Sequence, residues 1–126
     1  MLNAESRIEG TMTDNIVYLK RFEFAVRIVN LYKFLTGEKK EYVMSKQLLR
    51  CGTSIGANVA EAEQAQSRAD FTSKMNIALK EAAETHYWLR LLQATGYLSE
   101  VEYSSIGNDC SELEKILIAI VKTTKQ

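Results

Sequence analysis

Four stretches of the chain repeat apolar residues at alternating spacings of three and four, which is the spacing of one face of an α-helix. The spacing predicts helices over residues 16–35, 41–64, 68–94 and 99–122. No stretch alternates apolar and polar residues at every second position, so no β-strand is predicted. Residues 1–13 lack a helical period, and we expect a flexible N-terminal arm before a single domain over residues 14–126.

The predicted helices are long, and the turns between them are short. The sequence contains no proline, which is the main breaker of helices. Ser67 with Asp70, and Ser99 with Glu102, have the spacing of capping boxes that start the third and fourth helices. Long helices with short connections favour an all-α, antiparallel up-down four-helix bundle.

The first predicted helix carries two apolar stripes rather than one. One stripe consists of Leu19, Phe22, Val26 and Val29, and the other of Val17, Phe24, Ile28, Leu31 and Leu35. At about 100° per residue, the two stripes lie on nearly opposite sides of the helix. A helix in a monomeric bundle needs one buried stripe, so the second stripe predicts a further partner surface.

The charges balance over the whole chain but not along it. Sixteen Lys and Arg residues match sixteen Asp and Glu residues, which argues against strong non-specific binding of nucleic acid. Residues 14–50 nevertheless have a local charge of +4, and residues 99–126 one of −2. The basic side chains of the first two helices form either a weak RNA-binding face or an ordinary solvated surface. The candidates for the RNA-binding face are Lys20, Arg27, Lys46 and Arg50.

A run of small residues occupies the middle of the second predicted helix. The run, RCGTSIGANVAEAEQA at residues 50–65, includes Gly52 and Gly56, which lie about 40° apart around a helix. Two glycines on one side let a neighbouring backbone approach, so we expect a close helix crossing rather than a phosphate-binding loop. Asn58, at the edge of the apolar seam, is a candidate for fixing helix register or subunit pairing. Glu61, one turn on, shares that network or pairs with a basic residue.

The aromatic segment HYWLRLL, residues 86–92, allows two interpretations. Trp88 stacks on nucleic-acid bases beside Arg90, or it packs within the bundle or at a subunit interface. The continuous apolar residues around Trp88 favour packing.

The residue types found in metal and catalytic sites form no pattern in the sequence. His86 is the single histidine, and Ala83 stands three positions before it, where a di-iron bundle has Glu. A nucleophilic pair would require Cys51 or Cys110 to meet His86, and no spacing enforces that meeting. We therefore expect both cysteines to pack as small apolar residues. We predict no catalytic, cofactor-binding or metal site and no enzyme activity.

The sequence also bears on the compartment. The two cysteines lie far apart and form no disulfide framework. No apolar run approaches the roughly 20 residues of a membrane span. The first residues lack the apolar core of a signal peptide. We expect a cytoplasmic protein that does not contact a membrane.

Residues 50–98 resemble a known family. The motifs that carry the resemblance are TSIGANVAEA, the S-x-x-DF that follows it, IALKEAAET-x-YWL-x-LL and TGYL. Together they are similar to the four-helix-bundle proteins encoded by intervening sequences within bacterial 23S rRNA genes. The resemblance is looser over the first helix, the first half of the second and the fourth.

The resemblance implies a left-handed up-down bundle that assembles as a homopentamer. The family also resembles the accessory proteins of diversity-generating retroelements, whose pentameric barrels bind nucleic acid through basic surfaces. The zero net charge of this chain departs from that picture. The resemblance supplies no catalytic residues.

Three functions follow as hypotheses. The first is a non-enzymatic oligomeric module that associates with ribosomal or other structured RNA. The second is a scaffold or adaptor for a protein partner, such as a mobile-element enzyme; the neutral charge and the second stripe favour it. The third is a bundle enzyme, which is the weakest because no acid–base or ligand set stands out.

Overall fold

The computed structural model describes residues 11–124, which form four α-helices joined by short turns. The helices are α1 (Thr11–Gly37), α2 (Met44–Glu63), α3 (Arg68–Ala94) and α4 (Glu100–Thr124). No strand occurs between residues 11 and 124, so the all-α prediction is confirmed. α1 begins earlier than predicted and α2 begins three residues later; residues 1–10 of the predicted arm lie outside the described part of the chain.

The helices form a closed ring of neighbours. Each helix packs against the helices next to it in the chain, and α1 also packs against α4. The α2–α3 interface is the most extensive of these four and the α1–α4 interface is the smallest. Short turns reverse the chain between helices, which gives the antiparallel four-helix bundle that the spacing predicts. No helix in the described range is long and apolar enough to cross a membrane.

The core runs along the bundle axis and takes one seam from each helix. Its buried members include Val17, Phe24, Ile28 and Leu35 of α1, Leu48, Ile55 and Val59 of α2, Met75, Leu89 and Leu92 of α3, and Ile106, Leu113 and Leu117 of α4. Small side chains complete the seams of α3 and α4, where Ala78, Ala82 and Cys110 are fully buried. The small residues allow these helices to pack closely along the axis.

The predicted starts of α3 and α4 are confirmed. The Ser67 hydroxyl accepts a hydrogen bond of 3.0 Å from the Asp70 backbone N–H. Ser99 and Glu102 form a reciprocal box, in which each side chain accepts from the other residue's backbone N–H at 3.0 and 2.8 Å. The hydrogen bond from the Ser99 backbone holds the pKa of Glu102 below its ordinary value.

The start of α2 is built differently, by a carboxylate that lies before the helix. Val43 precedes the helix and provides no side-chain cap. The Glu41 carboxylate instead accepts from the backbone N–H groups of Val43, Met44 and Ser45 at 3.1, 3.0 and 2.7 Å. Burial alone would raise the pKa of Glu41, but these N–H donors outweigh burial and hold that pKa below its ordinary value. Glu41 also donates its own N–H to the Leu35 carbonyl, so it ties the end of α1 to the start of α2.

Candidate functional site

The face of α1 that points away from the core is apolar and exposed. We call it the α1 outer face, and it comprises Ile16, Leu19, Phe22, Val26 and the half-buried Val29. Leu19 and Phe22 are 63% and 65% exposed. The other stripe of α1 fills the core. The prediction of two opposed apolar stripes is therefore confirmed, and one of them is uncovered within the described residues.

Two of the basic residues proposed for an RNA-binding face join α1 to α4. Lys20 pairs with Glu112, and this hydrogen-bonded partner raises the pKa of Lys20. Arg27 lies 2.6 Å from a carboxylate oxygen of Asp109 and donates to the hydroxyl and carbonyl oxygens of Ser105 at 3.0 and 3.3 Å. The positive charge of residues 14–50 and the negative charge of the C-terminal segment thus meet at the α1–α4 interface.

A third basic candidate, Arg50, joins α2 to α3. Its guanidinium pairs with Glu84 and lies 3.4 Å from Glu81. The same Glu84 carboxylate accepts from the indole N–H of Trp88 at 3.1 Å. Trp88 is half-buried and packs edge-on against Tyr87, with ring centroids 5.2 Å apart. Arg50 and Trp88 therefore share one acidic partner, and the half-buried indole favours the packing interpretation.

The fourth candidate, Lys46, is exposed and forms no ion pair between residues 11 and 124. Across the segment 14–50, Arg21 is also paired, since it lies 3.1 Å from Glu63 of α2. The local positive charge is therefore largely balanced by acidic residues of the other three helices. The unpaired lysines of this segment gather around the α1–α2 turn.

The two glycines of α2 both face α1, but they leave different amounts of space. A Cβ at Gly52 would lie 2.8 Å from two side-chain carbons of Ile28. A Cβ at Gly56 would meet the Arg21 carbonyl oxygen at 3.5 Å, which is ordinary van der Waals contact. The tight crossing between α1 and α2 is thus centred on Gly52 and Ile28.

Asn58 and Glu61 both make polar contacts within the chain. The Asn58 amide donates to the Ser54 carbonyl of its own helix at 2.8 Å. Glu61 pairs with Lys74 of α3 at 3.2 Å. Asn58 is half-buried and Glu61 is exposed. Glu61 thus pairs with a basic residue, which is one of its two predicted alternatives, and the pairing role of Asn58 stays a prediction.

Polar side chains meet at the α3–α4 interface, away from the α1 outer face. The His86 Nδ1 atom lies 3.0 Å from a Glu114 oxygen, and its Nε2 atom lies 3.3 Å from the Tyr103 hydroxyl. The buried Cys110 thiol donates to the Ala82 carbonyl at 3.4 Å and lies 3.9 Å from the same Glu114 oxygen. The ligand-type atoms of His86, Cys110 and Glu114 all lie within 4.8 Å of one another. We call these three residues the His–Cys–Glu cluster.

Neither cysteine is prepared to act as a nucleophile. Burial raises the pKa of the Cys110 thiol, and the nearby Glu114 carboxylate raises it further. Burial also raises the pKa of Cys51, with a smaller opposing effect from a hydrogen bond to Thr85. Because the thiolate is the nucleophilic form, both shifts oppose nucleophilic reactivity. Both are fully buried, as expected for small apolar residues.

The sequence contains a pattern that indicates the His–Cys–Glu cluster, but it becomes visible only when two helices are compared with each other. Cys110 and Glu114 are four apart and share one face of α4. His86 and Cys110 lie at nearly equal distances along the chain from the α3–α4 turn, so an antiparallel pair of helices brings them level. The Glu41 cap had a weaker signal, because that residue lies before the usual capping position.

The comparisons with known proteins agree with this fold. The chain matches the family model of the 23S rRNA-intervening sequence protein over residues 13–119. No curated protein matches the chain. A solved structure of a protein with unknown function, from the S23 ribosomal protein family of Bacteroides thetaiotaomicron VPI-5482, is 67% identical. The match covers 88% of this chain and 99% of that chain, with a TM-score of 0.87. This chain thus belongs to the 23S rRNA-intervening sequence protein family.

Proposed function

We propose that this protein is a non-enzymatic scaffold that assembles from identical copies, as a homopentamer, through the α1 outer face. The observation that carries the proposal is the exposure of Leu19 and Phe22 on a helix whose opposite stripe already fills the core. An exposed apolar stripe with polar borders is typical of a protein interface. The pentameric number rests on the family resemblance.

The apolar seam and the charges of the α1 outer face favour a second copy of this chain as its binding partner. Leu19, Phe22, Val26 and Val29 repeat at spacings of three and four, which is the seam of packed helix pairs. The borders of the seam carry both signs of charge, with Glu23 and Lys33 exposed. The formal net charge of zero removes long-range repulsion between copies.

The test is the mass of the full-length protein in solution, measured by light scattering after size exclusion. We expect about five times the chain mass of 14.3 kDa for the wild type. The variant Leu19→Glu/Phe22→Glu should be a monomer with unchanged helix content. Val101→Glu is the matched control, because Val101 is 79% exposed on α4 and lies outside the α1 outer face. A monomeric wild type, or full assembly of the double variant, would overturn the proposal.

RNA association is a second candidate function, favoured by the family's link to 23S rRNA and by the lysines around the α1–α2 turn. Lys39, Lys40 and Lys46 are exposed there. Each lysine that contacts a phosphate adds roughly 0.7–0.9 to the slope of log affinity against log salt.

The RNA test uses a structured ribosomal RNA fragment at two salt concentrations. Replacing the three lysines by Gln should weaken binding and reduce the salt slope by about two. The control replaces three exposed lysines elsewhere, Lys80, Lys115 and Lys122. Absence of binding at low salt, or binding that salt does not weaken, would exclude this electrostatic association. Co-purification of a protein partner without RNA would favour an adaptor role.

A further inference from the structure

We propose that the His–Cys–Glu cluster is a binding site for a thiol-preferring divalent cation such as Zn²⁺, which would clamp α3 to α4. The site is separate from the α1 outer face, and the inference does not depend on the proposed assembly. It is carried by the convergence of an imidazole, a thiol and a carboxylate from two helices.

The three donor types are those that Zn²⁺ takes in proteins. Thiolate sulfur, imidazole nitrogen and carboxylate oxygen bind Zn²⁺ at about 2.0–2.3 Å, usually in a tetrahedral arrangement. Such an arrangement places the donors roughly 3.3–3.8 Å apart. The distances from the Glu114 oxygen are 3.0 Å to His86 Nδ1 and 3.9 Å to Cys110 Sγ. All three donor atoms lie within 4.8 Å of one another, so side-chain rotations that draw His86 and Cys110 together would close the site. A thiol in the set favours Zn²⁺ or Co²⁺ over Mg²⁺ and Ca²⁺.

The surroundings of the cluster suit bound metal. The thiol lies in the core, whereas the side chains of His86 and Glu114 are 30% and 26% exposed, which opens a path for an ion. The exposed side also leaves the fourth position of the metal to water. The Tyr103 hydroxyl, 3.3 Å from His86 Nε2, can accept a hydrogen bond from Nε2–H once Nδ1 binds metal. Such outer partners orient a histidine ligand.

Binding would replace existing contacts rather than add to an apolar core. Before a metal binds, His86 Nδ1–H can donate to the Glu114 carboxylate, which only accepts, while Nε2 contacts the Tyr103 hydroxyl. On binding, the Cys110 thiol releases its proton to solvent, and the imidazole proton of His86 moves through solvent from Nδ1 to Nε2. Nδ1 is then free to bind the metal, and Nε2–H donates to the Tyr103 hydroxyl. The bound metal then takes the place of the hydrogen bond between His86 and Glu114, and the hydrogen bond between His86 and Tyr103 remains.

The first experiment adds Co²⁺ to the full-length protein after treatment with a chelator. We expect one Co²⁺ per chain, with a thiolate-to-cobalt charge-transfer band and intense visible bands of a tetrahedral site. Cys110→Ser should lose the charge-transfer band. Cys51→Ser is the matched control, since Cys51 is the other buried cysteine and lies outside the cluster; it should keep the band.

The second experiment measures Zn²⁺ affinity by competition with a chromophoric chelator, which decides the matter even if Cys110→Ser does not fold. His86→Gln and Glu114→Gln change half-exposed residues, and each should weaken binding by more than about 100-fold, whereas Tyr103→Phe should weaken it by about 10-fold. Zn²⁺ at 100 times its dissociation constant should raise the melting temperature of the wild type by roughly 10 °C.

Several results would overturn the inference. They are a wild type without a thiolate–cobalt band, an equal loss of the band in Cys51→Ser, and unchanged Zn²⁺ affinity in both His86→Gln and Glu114→Gln. Mg²⁺ should neither bind nor raise the melting temperature, and an equal effect of Mg²⁺ would also count against the site. Since assembly is measured by light scattering, the outcomes of the two proposals remain distinct.

Discussion

The two faces of α1 have nearly the same chemistry and opposite surroundings. Phe24 on the inner face is 2% exposed, whereas Phe22, two residues earlier, is 65% exposed. Both faces present aliphatic and aromatic side chains at helical spacing. The difference teaches that apolar periodicity predicts which faces of a helix are suited to packing, whereas the fold determines which of them packs within the chain.

The inner face also differs from the outer face in how its partner is shaped. Gly52 of α2 leaves space that the Ile28 side chain fills. That fit explains why a helix tolerates glycine, which costs about 1 kcal/mol relative to alanine. The outer face has no such fitted surface within the described residues, and our proposal assigns that surface to a second copy of the chain.

The largest expected difference between the two faces comes from replacing Phe24 and Phe22 in separate variants. Phe24→Ala should lower the free energy of unfolding by about 3–5 kcal/mol, because it opens a cavity in the core. Phe22→Ala should change the stability of the monomeric bundle by less than about 0.5 kcal/mol. Urea denaturation at low protein concentration measures both, preferably in the Leu19→Glu background, which favours the monomer. Similar losses for the two variants would contradict the assignment of the faces.

The number of helices and the core could be predicted because they depend on spacing within each helix. The two stripes of α1 and both serine capping boxes are features of this kind. Relations between helices could not be predicted equally well. The pairing of Arg27 with Asp109, and the meeting of His86 with Cys110, depend on the rotation and register of whole helices, which the sequence of one helix does not determine.

The inner face of α1 packs tightly against Gly52 of α2. Gly52→Leu should lower the free energy of unfolding by about 3 kcal/mol, since the new side chain overlaps Ile28 and forces the core to shift. Gly56→Ala is the matched control, because its Cβ has ordinary contacts; it should be neutral or stabilising by up to about 1 kcal/mol. Thermal and chemical denaturation compare the two. Equal stability of Gly52→Leu and the wild type would show that the crossing is not tight.

A double variant tests whether the side chains at positions 52 and 28 compete for the same space. Ile28→Ala removes the side-chain atoms that crowd position 52 and leaves space that a leucine can fill. The loss for Gly52→Leu/Ile28→Ala should therefore be smaller than the sum of the two single losses. Additive losses would mean that the two side chains do not share one space.

The packing of α1 against α2 also depends on the turn between these helices. Glu41 stabilises that turn through its hydrogen bonds, so substitutions at Glu41 test its contribution. Glu41→Gln should cost about 1–2 kcal/mol at neutral pH, because an uncharged amide is a poorer acceptor for three backbone N–H groups. Glu38→Gln, an exposed change in the same turn, should have almost no effect.

The pH dependence of this effect has a definite sign. The pKa of Glu41 is lower in the folded than in the unfolded chain, where a glutamate titrates near about 4.3. The contribution of Glu41 to the free energy of unfolding is therefore complete above the pKa of the unfolded chain. It is lost as the pH falls through the pKa of the folded chain. The stability difference between wild type and Glu41→Gln should shrink over that acidic range in denaturation curves. A difference that is constant with pH would show that the charge of Glu41 is not the source.

The smallest expected effect on stability lies at the flank of α1, where ion pairs border the outer face. Asp109→Asn/Glu112→Gln removes the acidic partners of Arg27 and Lys20 and changes the formal net charge from zero to +2. Both pairs are partly exposed to solvent, so loss of the Arg27–Asp109 pair should cost about 0.2–1 kcal/mol in denaturation measurements, and loss of the more exposed Lys20–Glu112 pair should add little. Assembly through the outer face should continue, since its apolar side chains are unchanged.

The same variant tests whether the ion pairs with α4 weaken the proposed binding of RNA by the basic side chains of α1. We expect it to bind structured RNA more tightly than the wild type at low salt, with a salt slope increased by roughly one to two, because two cations are released from their acidic partners. Glu38→Gln/Glu100→Gln is the matched control: it has the same net charge, but its acidic residues form no ion pair within residues 11–124. A smaller gain for the control would show that pairing with α4 neutralises the α1 cations. An equal gain would show that only net charge matters and that the pairs serve the helix contact alone.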